Sequence, residues 1–241
     1  MNINDKTIIG ELVATDYRIA DVFSKFNIDY CCQGHRTIEA ACAENQLNTG
    51  LVIGELQNRA NESLDSETKY DEWPVDLLAD YVVQKHHKYV ENSIPVLKQN
   101  LLKLCDVHGK NHPELFKVTE AFNALADDLV VHMKKEELML FPFIKKLKIS
   151  KENDESMPSA VFNSVENPIQ MMQHDHSFEG DLIQSLKQLT NDYSTPSDAC
   201  TTYKVTYAKL KEFQNDMFLH IHLENNIMFP KALELEKSFH A

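Results

Sequence analysis

Between Trp73 and Leu235 apolar residues return every three or four positions, the period of a helix that buries one face. Four such stretches are separable. The first opens at Trp73-Pro74, with proline at a favoured first-turn position, and runs to about Cys105, with a kink expected at Pro95. The second runs from Pro113 to about Leu147, the third from Pro168 to about Leu189, and the fourth from about Ala199 to Leu235. A polar stretch, 148–167, divides the second from the third, and the turn-rich TNDYSTPSD segment divides the third from the fourth. Four amphipathic helices joined by modest loops predict an all-α, up-down four-helix bundle.

Ahead of the bundle the pattern is shorter in range. Ile8, Ile9, Leu12 and Val13 form one helical face; Ile19, Val22, Phe23 and Phe26 form another; Ile38, Ala41 and Cys42 begin a third. Helices this short, in a piece of about sixty residues, need outside support to be stable. Residues 61–72 (NESLDSETKYDE) carry no apolar stripe and read as a linker. The expected organisation is a small helical domain over 1–62 and a bundle over 73–238.

Composition narrows the function classes. With 43% hydrophobic residues the chain can fill a core, and with only 6 Gly and 8 Pro it suits helix rather than sheet. A formal net charge of -13 excludes a nucleic-acid footprint. The opening MNINDKTIIG lacks a basic-then-apolar leader, and no apolar run approaches membrane-spanning length, so a cytoplasmic setting with no membrane partner is expected. The 5 cysteines, odd in number and irregularly spaced, argue against a disulfide framework.

The 11 histidines carry the chemistry. His132-Met-Lys-Lys-Glu136 is followed by Phe141-Pro142, and His220-Ile-His-Leu-Glu224 by Phe229-Pro230, so the His-to-Glu and Glu-to-Phe steps are the same in both halves. Asp128 and Asp216 each lie one turn before the histidine of their repeat. His87 precedes His132 much as His174 precedes His220. Residues i and i+4 share a helix face, so one turn offers an imidazole and a carboxylate to one small volume. The stripe Leu115, Val118, Phe122, Leu125, Leu129 leads into His132 and Glu136; Phe213 and Met217 lead into His220 and Glu224; Met171 leads into His174, with Phe178 and Leu182 beyond it; His87 lies between Val83 and Val90. All six polar residues are thereby expected to face the core.

Two unpartnered glutamates in an apolar core would be costly, and a metal pair removes the cost. His87 with His132, and His174 with His220, are expected to serve one ion each, bridged by Glu136 and Glu224, with Asp128 and Asp216 accepting from ring N–H groups. Mixed N and O ligands suit iron, with manganese or zinc open on ligand type alone. A single core histidine is ordinarily just a packed residue; six residues in a duplicated frame are not explained that way. His86, His176 and His222 are expected to face elsewhere, and His108 and His112, beside Gly109 and Pro113, to lie in a loop. The absence of His-Glu-x-x-His disfavours a metalloprotease. Cys31 and Cys32 are candidates for a thiol role, and Cys42, Cys105 and Cys200 for packing.

The His-x-x-x-Glu pairs, the His174-Asp175-His176 segment and the Phe-Pro steps resemble the hemerythrin-like di-iron superfamily. Val22-Phe-Ser-Lys-Phe-Asn-Ile-Asp-Tyr-Cys-Cys-Gln-Gly34 resembles the signature of the small domain in the repair-of-iron-centres family. The resemblance spans essentially the whole chain. It implies a centre of two iron ions on the same six residues and repair of iron–sulfur clusters damaged by oxidative or nitrosative stress. Damaged iron–sulfur proteins or cluster scaffolds would be partners, with nitric oxide or oxygen as small ligands, and homodimers occur in the family. Competing readings are an oxygen or nitric oxide binding or sensing protein and an enzyme such as a nitric oxide reductase. Oxygen carriers of this fold use a further histidine that the four-histidine pattern lacks.

Overall fold

The computed structural model describes residues 3–61, 68–159, 162 and 164–240. The described residues hold helices and turns and no strand; one isolated bridge joins Ile8 to Thr37. Residues 62–67 of the expected linker lie outside that range. Its tail does not behave as a free tether: Tyr70–Glu72 forms a helical turn, and Tyr70 packs against Trp73 and Tyr81 at ring separations of 5.0 and 5.6 Å. The aromatic contacts half-bury Tyr70 and Trp73, while Lys69 and Glu72 stay exposed as their charge suggests.

Four short helices open the chain: α1 (Ile9–Thr15), α2 (Ala20–Lys25), α3 (Ile38–Glu44) and α4 (Thr49–Ala60). The last, capped by the Asn48 side chain accepting from the Leu51 amide, lies before the expected linker and beyond the three apolar faces read from the sequence. Ile9, Val13, Ile19, Phe23, Ile38, Ala41 and Cys42 are all fully buried, as the short-period faces require.

The bundle follows as four long rods. The first joins α5 (Val75–Tyr81), a π-helical segment Val82–His87 and α6 (Lys88–His108). The second joins α7 (Glu114–Lys135), a π segment Glu136–Leu140 and α8 (Phe141–Glu152). The third is α9 (Glu166–Leu189), and the fourth joins α10 (Thr201–His222), a π segment Leu223–Met228 and α11 (Phe229–Lys237). The first rod packs on the second and fourth, and the second on the third.

The short helices occupy the remaining groove. One hydrophobic cluster runs without a break from Ile9, Phe23 and Ile38 into Leu101, Leu125, Ile183 and Met217 of the bundle. A second cluster, with Leu78, Ile144, Ile169 and Phe229, fills the other end. The amino-terminal piece, too small for a core of its own, shares the bundle's core. Gly34 sits where a Cβ would come within 2.6 Å of both the Asn226 side chain and the Tyr30 carbonyl. Only glycine permits that approach of the chain to the fourth rod.

Candidate metal centre

Between the two hydrophobic clusters lies a layer of buried polar residues. His87, His132, Glu136, His176, His220 and Glu224 are each at most 1% exposed. They form two groups with shared members: His87, Glu136, His220, Glu224 and His132, Glu136, His176, Glu224. Glu136 and Glu224 belong to both. His87 Nε2 and His132 Nε2 lie 3.3 and 3.4 Å from Glu136 Oε2; His176 Nε2 and His220 Nε2 lie 3.0 Å from Glu224 Oε2 and Oε1 respectively.

Three of the four rods change from α to π geometry at this layer. A π turn inserts one residue and tilts the backbone, so residues five apart come into line. This gives the five-residue Glu-to-Phe step its meaning. Glu136 opens one π segment and Phe141 follows it; Glu224 lies in the first turn of another and Phe229 follows that. Phe141 stacks on His87 at 5.9 Å, and Phe229 on His176 at 6.0 Å with rings 4° from parallel. Pro142 and Pro230, lacking an amide hydrogen, fit the first turn after each break.

The sequence expectation needs correcting in the third rod. His174 is exposed on α9 and lines a surface cleft with Cys31, Cys32 and His35; the imidazole that enters the cluster is His176. Met171 and Phe178, which suggested the stripe through His174, are 54% and 49% exposed. The buried stripe is Ile169, Met172, His176, Glu179, Ile183 and Leu186. Its two polar members hide it from a purely apolar pattern, while exposed Met171 and Phe178 imitate one. The half-repeat spacing did not decide the matter, because 220 − 176 = 44 and 220 − 174 = 46 sit equally either side of 132 − 87 = 45. The pairing changes as well: His87 groups with His220, and His132 with His176.

Three of the four histidines have a polar side chain behind the ring, though not the expected ones. Glu137 Oε1 lies 2.9 Å from His87 Nδ1, Asn225 Oδ1 2.9 Å from His176 Nδ1, and Asp175 Oδ2 3.5 Å from His132 Nδ1. Each neighbours a cluster member in sequence, a signal that the i, i+4 search passed over. Asp216 instead pairs with His86 Nδ1 at 3.0 Å, and His86 stacks on His220 at 5.5 Å. His86, expected to face elsewhere, is thus buried beside the cluster. The Asp128 Oδ2 atom is buried without a hydrogen bond among the described residues. His222 does face elsewhere, towards Tyr17 and Tyr30 at 5.7 and 6.1 Å, and accepts from the Asn226 side chain at 3.0 Å. Burial keeps it neutral, with its pKa held down to about 3.

Electrostatics identify what this layer lacks. Burial opposes ionisation of Glu136, and Glu224 nearby adds repulsion, yet the His132 and His87 rings hold its carboxyl below the ordinary range. Glu224, also against burial, is held well below it by His220 and His176. Burial lowers the affinity of His132 for a proton, but Glu136 and Glu179 more than offset this and raise it well above normal. The layer therefore holds two buried anions, balanced by protons on its own imidazoles or by metal cations. Both Glu136 oxygens, Glu224 Oε2 and His87 Nε2 are buried without a hydrogen bond among the described residues. Buried polar atoms in such numbers point to a missing partner. His132 Nε2 and His176 Nε2 are 3.2 Å apart, the separation expected of two nitrogens at about 2.1 Å from one cation. The donor set of imidazoles and carboxylates fits a pair of metal cations.

Residues 78–232 match the Hemerythrin HHE cation binding domain. The chain belongs to the hemerythrin HHE family. Residues 5–60 match a second family, described as a Domain of Unknown function (DUF542). Similar to the chain over its full length is the "Iron-sulfur cluster repair protein YtfE" of Musicola paradisiaca (strain Ech703), 31% identical over 98% of this chain and 100% of its own length. The protein of the same name from Shigella boydii serotype 4 (strain Sb227) is 31% identical over 93% of this chain and 96% of its own. This HHE protein therefore also belongs with these YtfE chains, which it matches over nearly its whole length. Among its described residues, no helix is long and apolar enough to cross a membrane.

The cysteine pair of this HHE protein lies against the metal layer from outside. Asp29 Oδ1 accepts from the Cys31 and Cys32 amides at 3.0 and 2.9 Å, which folds the Asp-Tyr-Cys-Cys turn. Cys32 Sγ donates to the His176 carbonyl at 3.2 Å, beside Gly180, which leaves room for it. Asn225 Nδ2 donates to the Cys31 carbonyl at 3.2 Å while its Oδ1 meets His176. The two sulfurs are 3.7 Å apart, far beyond a disulfide bond. The adjoining Cys32 thiol and burial push Cys31 well above the usual thiol range. Cys32 borders a groove of about 880 Å³ between the short helices, α9 and α10.

Proposed function

We propose that this protein holds two iron ions and repairs iron–sulfur clusters damaged by oxidative or nitrosative stress, by giving up iron to them. The observation that carries the reading is the sharing of Glu136 and Glu224 between two four-residue groups. The full-length likeness to proteins named for iron–sulfur cluster repair supports the client class. His87, His132, His176 and His220 would act as terminal ligands and Glu136 and Glu224 as bridges. When bound, the iron pair supplies an exchangeable ferrous ion and positions open to nitric oxide or oxygen.

The chain's own residues account for both holding and release. Glu137 and Asn225 orient His87 and His176 so that Nε2 faces inward, and the Asp175 carboxylate lies 3.5 Å behind His132 Nδ1. Apolar side chains above and below exclude water from the layer. Metal-free, the layer binds protons, because His87, His132 and His176 are all raised above their ordinary values against burial. Loading at neutral pH therefore releases protons, and acid favours release of metal. Cys31, Cys32 and Asp29 form a third group able to ligate a metal, at the surface end of the Asn225 contact. We assign the thiol pair to receiving iron or a cluster fragment, in a cytoplasmic setting where such thiols stay reduced.

The test uses iron-loaded protein and a cluster enzyme inactivated with nitric oxide. Recovery of enzyme activity beyond that given by an equal amount of free ferrous iron is expected. Recovery equal to free iron contradicts the repair reading, and loss of metal binding in the same preparation contradicts the site.

A further inference from the structure

At the far end of α10 a second set of reactive side chains comes together. Cys200, expected to be a packing residue, is exposed and stands at the N-cap of that 22-residue helix. His108, the last residue of α6, lies against it with Nε2 3.2 Å from Sγ. Cys200 and His220 are twenty residues apart on one helix, about 30 Å at helical rise, so the pair is remote from the metal layer.

The surroundings favour the ionised thiol. The Tyr203 and Thr202 amides face the sulfur from the open end of the helix without closing a full capping hydrogen bond, and the His108 ring adds to their effect. Together they bring Cys200 down to about 7. The nearby carboxylates do not oppose this. Asp198 is taken up by His112 Nε2 at 2.9 Å, and Glu114 by His112 Nδ1 at 3.1 Å. His112 thus stands between the acids of the loop and of α7 and the thiol–imidazole pair, and Tyr203 packs edge-on against both rings at 5.5 and 5.8 Å. A thiol that is exposed, backed by an imidazole and aimed from a helix N-terminus is the arrangement that makes cysteine a nucleophile.

We propose that Cys200 is a modification site at which the thiol, assisted by His108, exchanges with low-molecular-weight disulfides of the glutathione type. The Cys200 proton passes to His108 Nε2. The thiolate attacks one sulfur of the disulfide, the reagent's S–S bond breaks, and the departing thiolate takes the proton back from His108. The products are a mixed disulfide on Cys200 and one free thiol, with no other oxidant needed.

Magnitudes set the expected size of the effect. At pH 7 such a thiol is about half ionised, whereas one at 8.5 is about 3% ionised. Its lower basicity returns roughly fivefold of that gain, leaving a net advantage of about threefold over an ordinary free thiol. The full-length, iron-loaded protein is treated with glutathione disulfide between pH 5.5 and 9.5, and each cysteine is followed by peptide mass mapping. Cys200 is expected to form the mixed disulfide about threefold faster at pH 7 than a free small thiol, with a rate midpoint near pH 7. In His108→Gln the midpoint should rise by at least half a unit, with the rate lower than wild type at pH 7 and slightly higher above pH 9, where both thiols are ionised and the more basic one is the better nucleophile. A wild-type midpoint at or above 8.5 overturns the proposal even if the variant fails to fold, and so does a folded His108→Gln with an unchanged profile. Iron content of Cys200→Ser should equal that of wild type, which separates this site from the metal centre.

Discussion

His176 and His174 illustrate how little sequence distance separates a ligand from a surface residue. Two positions move a side chain about 200° around a helix. His176 is fully buried among His132, Glu224 and Phe229, while His174 borders the cysteine cleft. His176→Ala is therefore expected to lower bound iron to about one ion per chain or fewer, measured by elemental analysis. His174→Ala should keep the wild-type amount, and the opposite result would reinstate the sequence reading. Five of the six buried cluster members were legible from the duplicated frame, because His87, His132, Glu136, His220 and Glu224 continue genuine apolar stripes. The sixth was not, because in α9 apolar residues also lie on the wet face. Glu179 was missed for the same reason. It is fully buried, both its oxygens lack a hydrogen bond among the described residues, and burial raises its carboxyl to about 7.

The elements themselves were legible almost to their ends. Apolar period, proline at first turns and polar interruptions gave all four rods, since these are the signals that govern helix burial and termination. The π segments were not legible, because a pattern of period 3.6 has no term for an inserted residue. Yet these three breaks occur where the metal layer lies. In Glu136–Leu140 the exposed residue Leu138, 73% accessible, is the natural one to remove. Deleting it should restore regular α geometry and turn Glu136 by about 100° relative to Phe141. The expected outcome is unchanged helical circular dichroism with loss of at least one iron per chain. Full iron retention would show that the π geometry is not what delivers the carboxylate.

At the scale of the whole molecule, the short helices and the bundle act as one body because they share a core. Phe23, Ile28 and Tyr30 meet Ile183, Leu210 and Met217 in a single cluster, and Asn226 bonds to the Tyr30 carbonyl. Sequence could place two domains in order, but not their mutual burial. The contacts depend on Gly34 and on a neutral His222, neither of which has a periodic signature. The consequence is functional: the cysteine turn lies within hydrogen-bond reach of α9 and of the π segment that bears Glu224. A tethered, independently tumbling domain could not hold that geometry.

Anaerobic titration of metal-free protein with ferrous iron, followed by Mössbauer spectroscopy after controlled oxidation, tests the shared-carboxylate centre most directly. The structure leads us to expect saturation at two ions per chain and spin coupling between them, both abolished in the Glu136→Leu, Glu224→Leu double variant. Saturation at a single ion, or two ions without magnetic coupling, would contradict it.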